Sequence, residues 1–137
     1  MATQPDDSSR FQDYYFGLPG NPRLLARSST APWEIPIIDI PEHGEWGHQM
    51  PASKLAFVVT RHPLREKLDS GLRDNIRNVL ATMSPCRWIS VDYLRIGYDD
   101  NVEQNNPVVV LVTVEEGQVP RAEAQRIVDA LAQECRK

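Results

Sequence analysis

Two apolar segments joined by a polar connection place the strongest constraint on the fold. The segments cover residues 87–98 and 107–116, and the connection YDDNVEQNN is rich in turn-forming residues. This pattern predicts an antiparallel strand pair. An amphipathic helix is predicted on each side, the first over residues 63–83 and the second beginning near Pro120. We therefore expect an α+β fold in which a small antiparallel sheet carries two helices on one face.

The two strands differ in their apolar pattern. The second, VVVLVTV, is apolar on both faces, which predicts a central position in the sheet. In the first, the apolar side chains change face, which predicts either cover on both faces or a bulge near Asp92. The sequence ends at Lys137, where a split β-α-β sandwich usually adds a strand. One sheet edge is therefore expected to stay open, to be covered by the N-terminal segment or to pair with a second chain.

Residues 1–50 differ in composition from residues 51–137. Seven of the 11 prolines precede residue 52, and so do six of the ten aromatic residues. Three arginines and seven acidic residues in the first segment account for the whole formal charge of −4, because the remainder carries 12 residues of each sign. Prolines disfavour helix, whereas disordered segments are poor in aromatics. We predict a partly ordered, extended, acidic, Pro-rich arm over 1–50 and an α+β domain over 51–137.

The arm carries the candidates for interaction. We expect it to dock aromatic side chains on the domain or on a partner. Its segment WEIPIIDI is compatible with a short edge strand that is broken at Pro36. The proposed interaction residues are Tyr14, Tyr15, Phe16, Trp33 and Trp46.

Charge and composition exclude several classes of partner. Phosphate binding needs a clear basic excess, so nucleic acid is not an expected partner. Four arginines occur between residues 61 and 77, but Asp69 and Asp74 interleave with them and predict ordinary surface ion pairs. No apolar run reaches the roughly 18 residues of a membrane span, and the start MATQPDDSSR does not resemble a secretory signal. We therefore expect an intracellular protein, cytoplasmic or nuclear, with no membrane association and with reduced cysteines.

The segment PEHGEWGHQMP contains the nearest approach to a metal site. Glu42, His43, Glu45 and His48 lie within seven residues and offer nitrogen and oxygen ligands for zinc. However, the two histidines lie in a loop pattern and not one turn apart on a helix. A solvated loop that packs Trp46 is the favoured interpretation, and no cofactor is expected.

Three further polar residues are weighed as a site. His62 precedes Pro63 and is expected to cap the helix in preference to acting as a catalytic base. Asp92 and Arg95 lie within an apolar strand, where ion pairs with helix residues are favoured over a substrate clamp. The sequence has no nucleotide-binding loop, nucleophile elbow or cysteine in a catalytic setting, so no catalytic residue is predicted.

These observations favour a non-catalytic protein-interaction or regulatory module. It would act through its N-terminal arm and an open sheet edge, with another copy of itself as one partner to consider. The alternative is a small ligand-binding protein or enzyme with a pocket between the sheet and the arm, which the sequence leaves open.

Three sequence strings carry a family resemblance: DYYFGLPGNPRLLARSST, RWISVDYLRIGY and NNPVVVLVTVEEG. Together they resemble an uncharacterised fungal α+β domain that stands ahead of serine-protease-like regions in longer fungal proteins. The resemblance covers residues 11–30 and 62–137 and implies a fold more than a chemistry. Because nothing similar to the downstream region is found in this sequence, the resemblance transfers no catalytic residue. It implies a single-domain relative or a fragment.

Overall fold

A computed structural model describes residues 11–40, 48–83 and 88–137. These residues form an α+β structure, which confirms the predicted fold class. Within these ranges, no helix has both the length and the apolar character needed to cross a membrane. In chain order the elements are β1 (Ile37–Ile40), β2 (His48–Pro51), β3 (Leu55–Val58), α1 (Pro63–Lys67), α2 (Arg73–Leu80), β4 (Trp88–Gly97), β5 (Val108–Val114) and α3 (Arg121–Arg136).

The strands form two small sheets. β1 and β2 pair antiparallel, so that Ile38 lies opposite Met50. β3, β4 and β5 form a three-stranded sheet with β4 in the middle, and β4 pairs antiparallel with β5. The prediction that VVVLVTV is the central strand is therefore wrong. Every residue of β5 is half-buried, so both faces of this outer strand are partly covered and its apolar pattern resembles that of a central strand.

The change of apolar face in β4 does not come from a bulge near Asp92, because Asp92 pairs regularly with Leu111. The register shift lies earlier, between Trp88 and Ser90. Towards the other end of the strand Ile96 is buried. Partial burial on both faces of β4 therefore explains its apolar pattern, and the predicted bulge near Asp92 is wrong.

The predicted helix over residues 63–83 is divided in two. Pro63 occupies its first turn, as expected. The helical backbone is interrupted at Ser70 and Gly71, and Gly71 has a φ of 122°, a conformation that glycine adopts readily. The Ser70 hydroxyl donates a hydrogen bond to the Glu66 carbonyl at 2.9 Å, which satisfies one of the carbonyls at the end of α1. The apolar spacing therefore continues across two helices.

The chain groups into two compact units. Unit 1 consists of Met1–Leu24, Ala31–Phe57 and Ile96–Pro107, and unit 2 of Leu25–Thr30, Val58–Arg95 and Val108–Lys137. In the described part of unit 1, two basic and six acidic side chains give a formal charge of −4. The described part of unit 2 has 11 basic and nine acidic side chains, or +2. This grouping does not test the domain boundary predicted at residue 50, which stays a prediction.

The core of unit 2 joins both long helices to the sheet. Val91 and Val112 lie opposite each other in the β4–β5 ladder and pack against one apolar cluster, so α2 and α3 cover the same sheet face, as predicted. Cys135 also packs there, and burial raises the pKa of its thiol, so it behaves as a small apolar side chain. The buried members of the cluster are Leu72, Ile76, Leu80, Met83, Ile127 and Leu131.

Replacing Leu80 with alanine tests this core. Leu80 is only 1% exposed, so Leu80→Ala should lower the free energy of unfolding by about 3 kcal/mol through lost burial and a residual cavity. Urea denaturation measures this change. The control is Ile89→Ala, because Ile89 is 61% exposed and should contribute less than about 1 kcal/mol. Equal effects of the two substitutions would contradict the assigned core.

Candidate functional site

Lys54 is the centre of an unusual arrangement in unit 1. Its side chain is buried, with only 6% of the residue exposed, although lysine is almost never buried unless it is paired. The ammonium Nζ lies 3.1 Å from the centroid of the Tyr14 ring, 5.2 Å from that of Tyr15, and 5.6 Å from those of Trp33 and Tyr98. Cation–π attraction stabilises an ammonium that has lost its water. We call these five residues the Lys54 box.

Contacts between its members hold the Lys54 box in shape. The rings of Tyr14 and Trp33 are 5.1 Å apart, and Trp33 Nε1 donates a hydrogen bond to the Tyr98 hydroxyl at 3.1 Å. The Lys54 backbone amide donates to the Phe16 carbonyl at 2.7 Å. Burial raises the pKa of Tyr98, so this phenol keeps its proton at neutral pH. Aromatic residues of the predicted arm therefore dock on later parts of the chain within unit 1.

The turn that follows Tyr98 is closed by Asp99 and Asn106. Asn106 is 3% exposed; its Nδ2 donates to the Asp99 carbonyl at 2.8 Å, and its Oδ1 accepts from the Asp99 amide at 3.0 Å. Hydrogen bonds to the Asp99 carboxylate, led by that from the Val102 amide, hold the pKa of this carboxyl below its ordinary 3.8. A Cβ atom at Gly97 would collide with the Asn106 side chain, so this position requires glycine.

Unit 1 also has a cavity of about 430 Å³ beside the Lys54 box. Its walls include Tyr14, Trp33 and Lys54, together with the turn that begins at Asp99. The polar groups there have protein partners, since the Lys54 ammonium faces aromatic rings and Asn106 is bonded to Asp99. The box therefore acts first as a structural centre, and a ligand would satisfy no open polar group in these contacts.

Most of the large apolar side chains that the described part of unit 1 exposes lie on its two-stranded sheet. Ile37 is 54% exposed, Ile38 48% and Met50 41%. Ile38 and Met50 are directly opposite and share one face, whereas Ile37 projects from the other. No strand in the described ranges pairs with the outer edge of β1. An isolated two-stranded sheet is marginally stable in water, so this open apolar strand is a candidate interaction surface.

The predicted aromatic interaction residues are used mainly inside the protein. Tyr14, Tyr15 and Trp33 belong to the Lys54 box, and Phe16 supplies a carbonyl to the Lys54 amide. Trp46 lies outside the described residues. The exposed residues of β1 and β2 were not predicted as interaction residues. The isoleucines of WEIPIIDI and the prolines beside them nevertheless indicated an edge strand.

The weak metal candidates fall largely beyond the described ranges. His43 lies outside them, and the backbone of His48 pairs with that of Ile40 in the β1–β2 sheet. Within residues 11–40, 48–83 and 88–137, no group of three or more His, Cys, Asp or Glu side chains is placed to hold a metal ion.

The three polar residues that were weighed as a possible site make separate contacts. His62 caps α1, because its Nδ1 accepts a hydrogen bond from the Leu64 amide at 3.1 Å. Asp92 accepts from the Ser90 hydroxyl at 3.1 Å, and Arg95 Nη2 donates to the Arg61 carbonyl at 3.3 Å. Asp92 and Arg95 are three positions apart in a strand and project from opposite faces. The structure therefore does not bring the two into one site.

Removing the Lys54 ammonium tests the Lys54 box. Lys54→Ala should lower the free energy of unfolding by about 2–3 kcal/mol, because the cation–π contacts are lost and a cavity remains. Lys54→Met, which keeps the length and adds sulfur–aromatic contacts, should recover part of this loss. Urea unfolding measures both, with the exposed Lys137→Ala as control. A Lys54→Ala effect no larger than that of Lys137→Ala would refute the structural role.

The Asp99 turn predicts an acid-dependent change. The carboxyl of Asp99, followed by ¹³C NMR, should titrate with a midpoint below 3.8. Because its folded pKa lies below the unfolded value, the stability it contributes is fully present above the unfolded pKa and is lost as pH falls through the folded pKa. Amide exchange at Val102 should accelerate over the same range, and Asp99→Asn should abolish this pH dependence. A midpoint at or above 3.8 would disprove the assigned hydrogen bonds.

Comparison with known proteins finds no match to this chain among protein-family models, curated proteins or solved structures. The resemblance to a fungal domain ahead of serine-protease-like regions therefore stays a prediction. Function has to be inferred from the geometry of each unit.

Proposed function

We propose that the chain is a non-catalytic protein-interaction module that binds an extended, basic segment of a partner protein along β1. The observation that carries this proposal is the exposure of Ile37, Ile38 and Met50 on a sheet that has two strands in the described part of the chain. Strand addition would pair the open backbone groups of β1 and cover apolar side chains at the same time.

The sequence of the two strands favours β1 as the edge that is used. β1 has no proline among its four residues, whereas β2 ends in Pro51, which lacks an amide hydrogen. Alternate side chains of an added strand would lie beside Ile38 on one face and Ile37 on the other. Main-chain hydrogen bonds would supply affinity. Ile38 would select apolar residues on its face, whereas Asp39 shares the other face with Ile37 and would select basic ones.

Charge supports a basic partner. The described part of unit 1 has six acidic side chains, and Lys54, one of its two basic residues, is buried. Asp39 lies exposed within β1 itself. A lysine-rich or arginine-rich segment would be attracted to this unit, whereas a second copy pairing through the same edge would bring like charges together. A second copy of the chain is therefore a less favoured occupant of the β1 edge than a basic partner.

A non-catalytic role agrees with the positions of the polar candidates. His62 is engaged as a helix cap, and Asp92 and Arg95 are on opposite faces of β4. An intracellular site of action, in the cytoplasm or nucleus, is part of the proposal. It is supported by the low cysteine content, two residues without CxxC spacing.

A peptide titration tests strand addition. The probe is a heptapeptide of alternating lysine and valine, added to the ¹⁵N-labelled full chain. Amide signals of Ile37–Ile40 should shift saturably, because the peptide pairs with this strand. A peptide of the same composition in blocks, and one with glutamate in place of lysine, should bind at least about tenfold more weakly. Equal binding of all three peptides, or shifts only outside the β1–β2 sheet, would exclude the proposal.

A double substitution tests the apolar contribution. Ile38→Ser with Met50→Ser removes one exposed apolar face and should weaken the alternating peptide about tenfold. Val102→Ser is the matched control, since Val102 is exposed elsewhere in unit 1. Light scattering gives the oligomeric state of each variant. If the wild-type chain is a dimer and the double substitution dissociates it, the partner at β1 is a second copy of the chain and not a basic segment.

A further inference from the structure

Unit 2 contains a separate cavity of about 300 Å³ between its divided helix and the β4–β5 sheet. Its size lies at the lower end of the range for small-molecule sites. Most of its wall is apolar, and Trp88 at the start of β4 contributes an aromatic ring. The apolar lining residues are Leu68, Ile76, Leu80, Trp88, Val91 and Val110.

Tyr93 belongs to the same wall. Its hydroxyl is buried and has no hydrogen-bond partner in the described part of the chain. Buried hydroxyl groups nearly always have a partner, because leaving one unpaired destabilises the protein. Burial raises the pKa of Tyr93, although the positive charges of Arg95 and Arg65 act to lower it. The phenol therefore carries its proton at neutral pH. The hydroxyl oxygen has almost no accessible surface, and neither Arg95 nor Arg65 lines the cavity, so a ligand in the cavity would not contact this group.

Two arginines one helical turn apart line the same cavity. Arg73 makes a long, exposed ion pair with Asp69, at 3.9 Å. Arg77 is exposed and lines the cavity as well. Asp92 is the acidic residue in the wall, and its carboxylate accepts a hydrogen bond from Ser90. The lining thus has two positive charges against one negative charge.

We propose that this cavity binds a small amphipathic carboxylate, whose alkyl or aryl body lies against the apolar wall. Guanidinium groups form paired hydrogen bonds with carboxylates, so Arg73 and Arg77 supply the charged end of the site. This site goes beyond the β1 surface and depends on no residue of that surface.

Octanoate is the probe for the charge requirement, and octanol is its neutral counterpart. Octanoate added to the full chain should shift methyl signals of Leu80, Val91 and Val110 saturably, with a dissociation constant of about 1 mM or tighter. Octanol should bind at least about tenfold more weakly, because it lacks the anionic group. Equal binding of the two compounds, or no saturable shift at about 10 mM octanoate, would overturn the proposal.

Substitution of the two arginines tests the charged end of the site. Arg73→Gln and Arg77→Gln should each weaken octanoate about tenfold, with little change in the midpoint of thermal unfolding. Arg136→Gln, which is outside the cavity, is the matched control and should change neither. Octanoate binding that Arg77→Gln leaves unaltered would refute the assignment, and so would equal weakening by Arg136→Gln.

Discussion

Enclosure of the Lys54 ammonium by four aromatic rings is the interaction on which unit 1 depends. An ammonium group taken out of water loses several kcal/mol of hydration free energy, and the protein has to replace that loss with directed contacts. Lys54 and Trp33 come from one segment of unit 1, Tyr14 from a second and Tyr98 from a third. The charge therefore ties together parts of the chain that are far apart in sequence, and β1 and β2 lie within this unit.

Apolar periodicity predicted most of the fold because it reports burial directly. Ile127 and Leu131 recur at helical spacing in α3 and are both in the core. The break at Gly71 was missed because the apolar spacing continues across it, while the backbone conformation of a glycine leaves no periodic trace. The outer position of β5 was missed for a related reason, since a strand partly covered on both faces has the apolar pattern of a central one.

The candidate sites were less predictable, because they depend on contacts between distant segments. Tyr14 and Trp33 were singled out as aromatic, but Lys54 is a lone charged residue just before an apolar run, and a cation–π contact has no sequence spacing. Similarly, Arg73 resembled a member of an ordinary surface ion pair, and its pair with Asp69 is indeed present but long. Only the structure brings it to the same cavity wall as Tyr93.

The close approach of Gly97 to Asn106 has a consequence for strand pairing. β5 is apolar on both faces, so hydrophobic burial alone does not distinguish one alignment of β4 and β5 from another that is displaced by one residue. A displaced alignment would place Ile96 or Tyr98 where the Asn106 side chain leaves no space for a Cβ atom. The turn therefore acts as a steric lock on register, and a single glycine provides the alignment information that the valine-rich strand lacks.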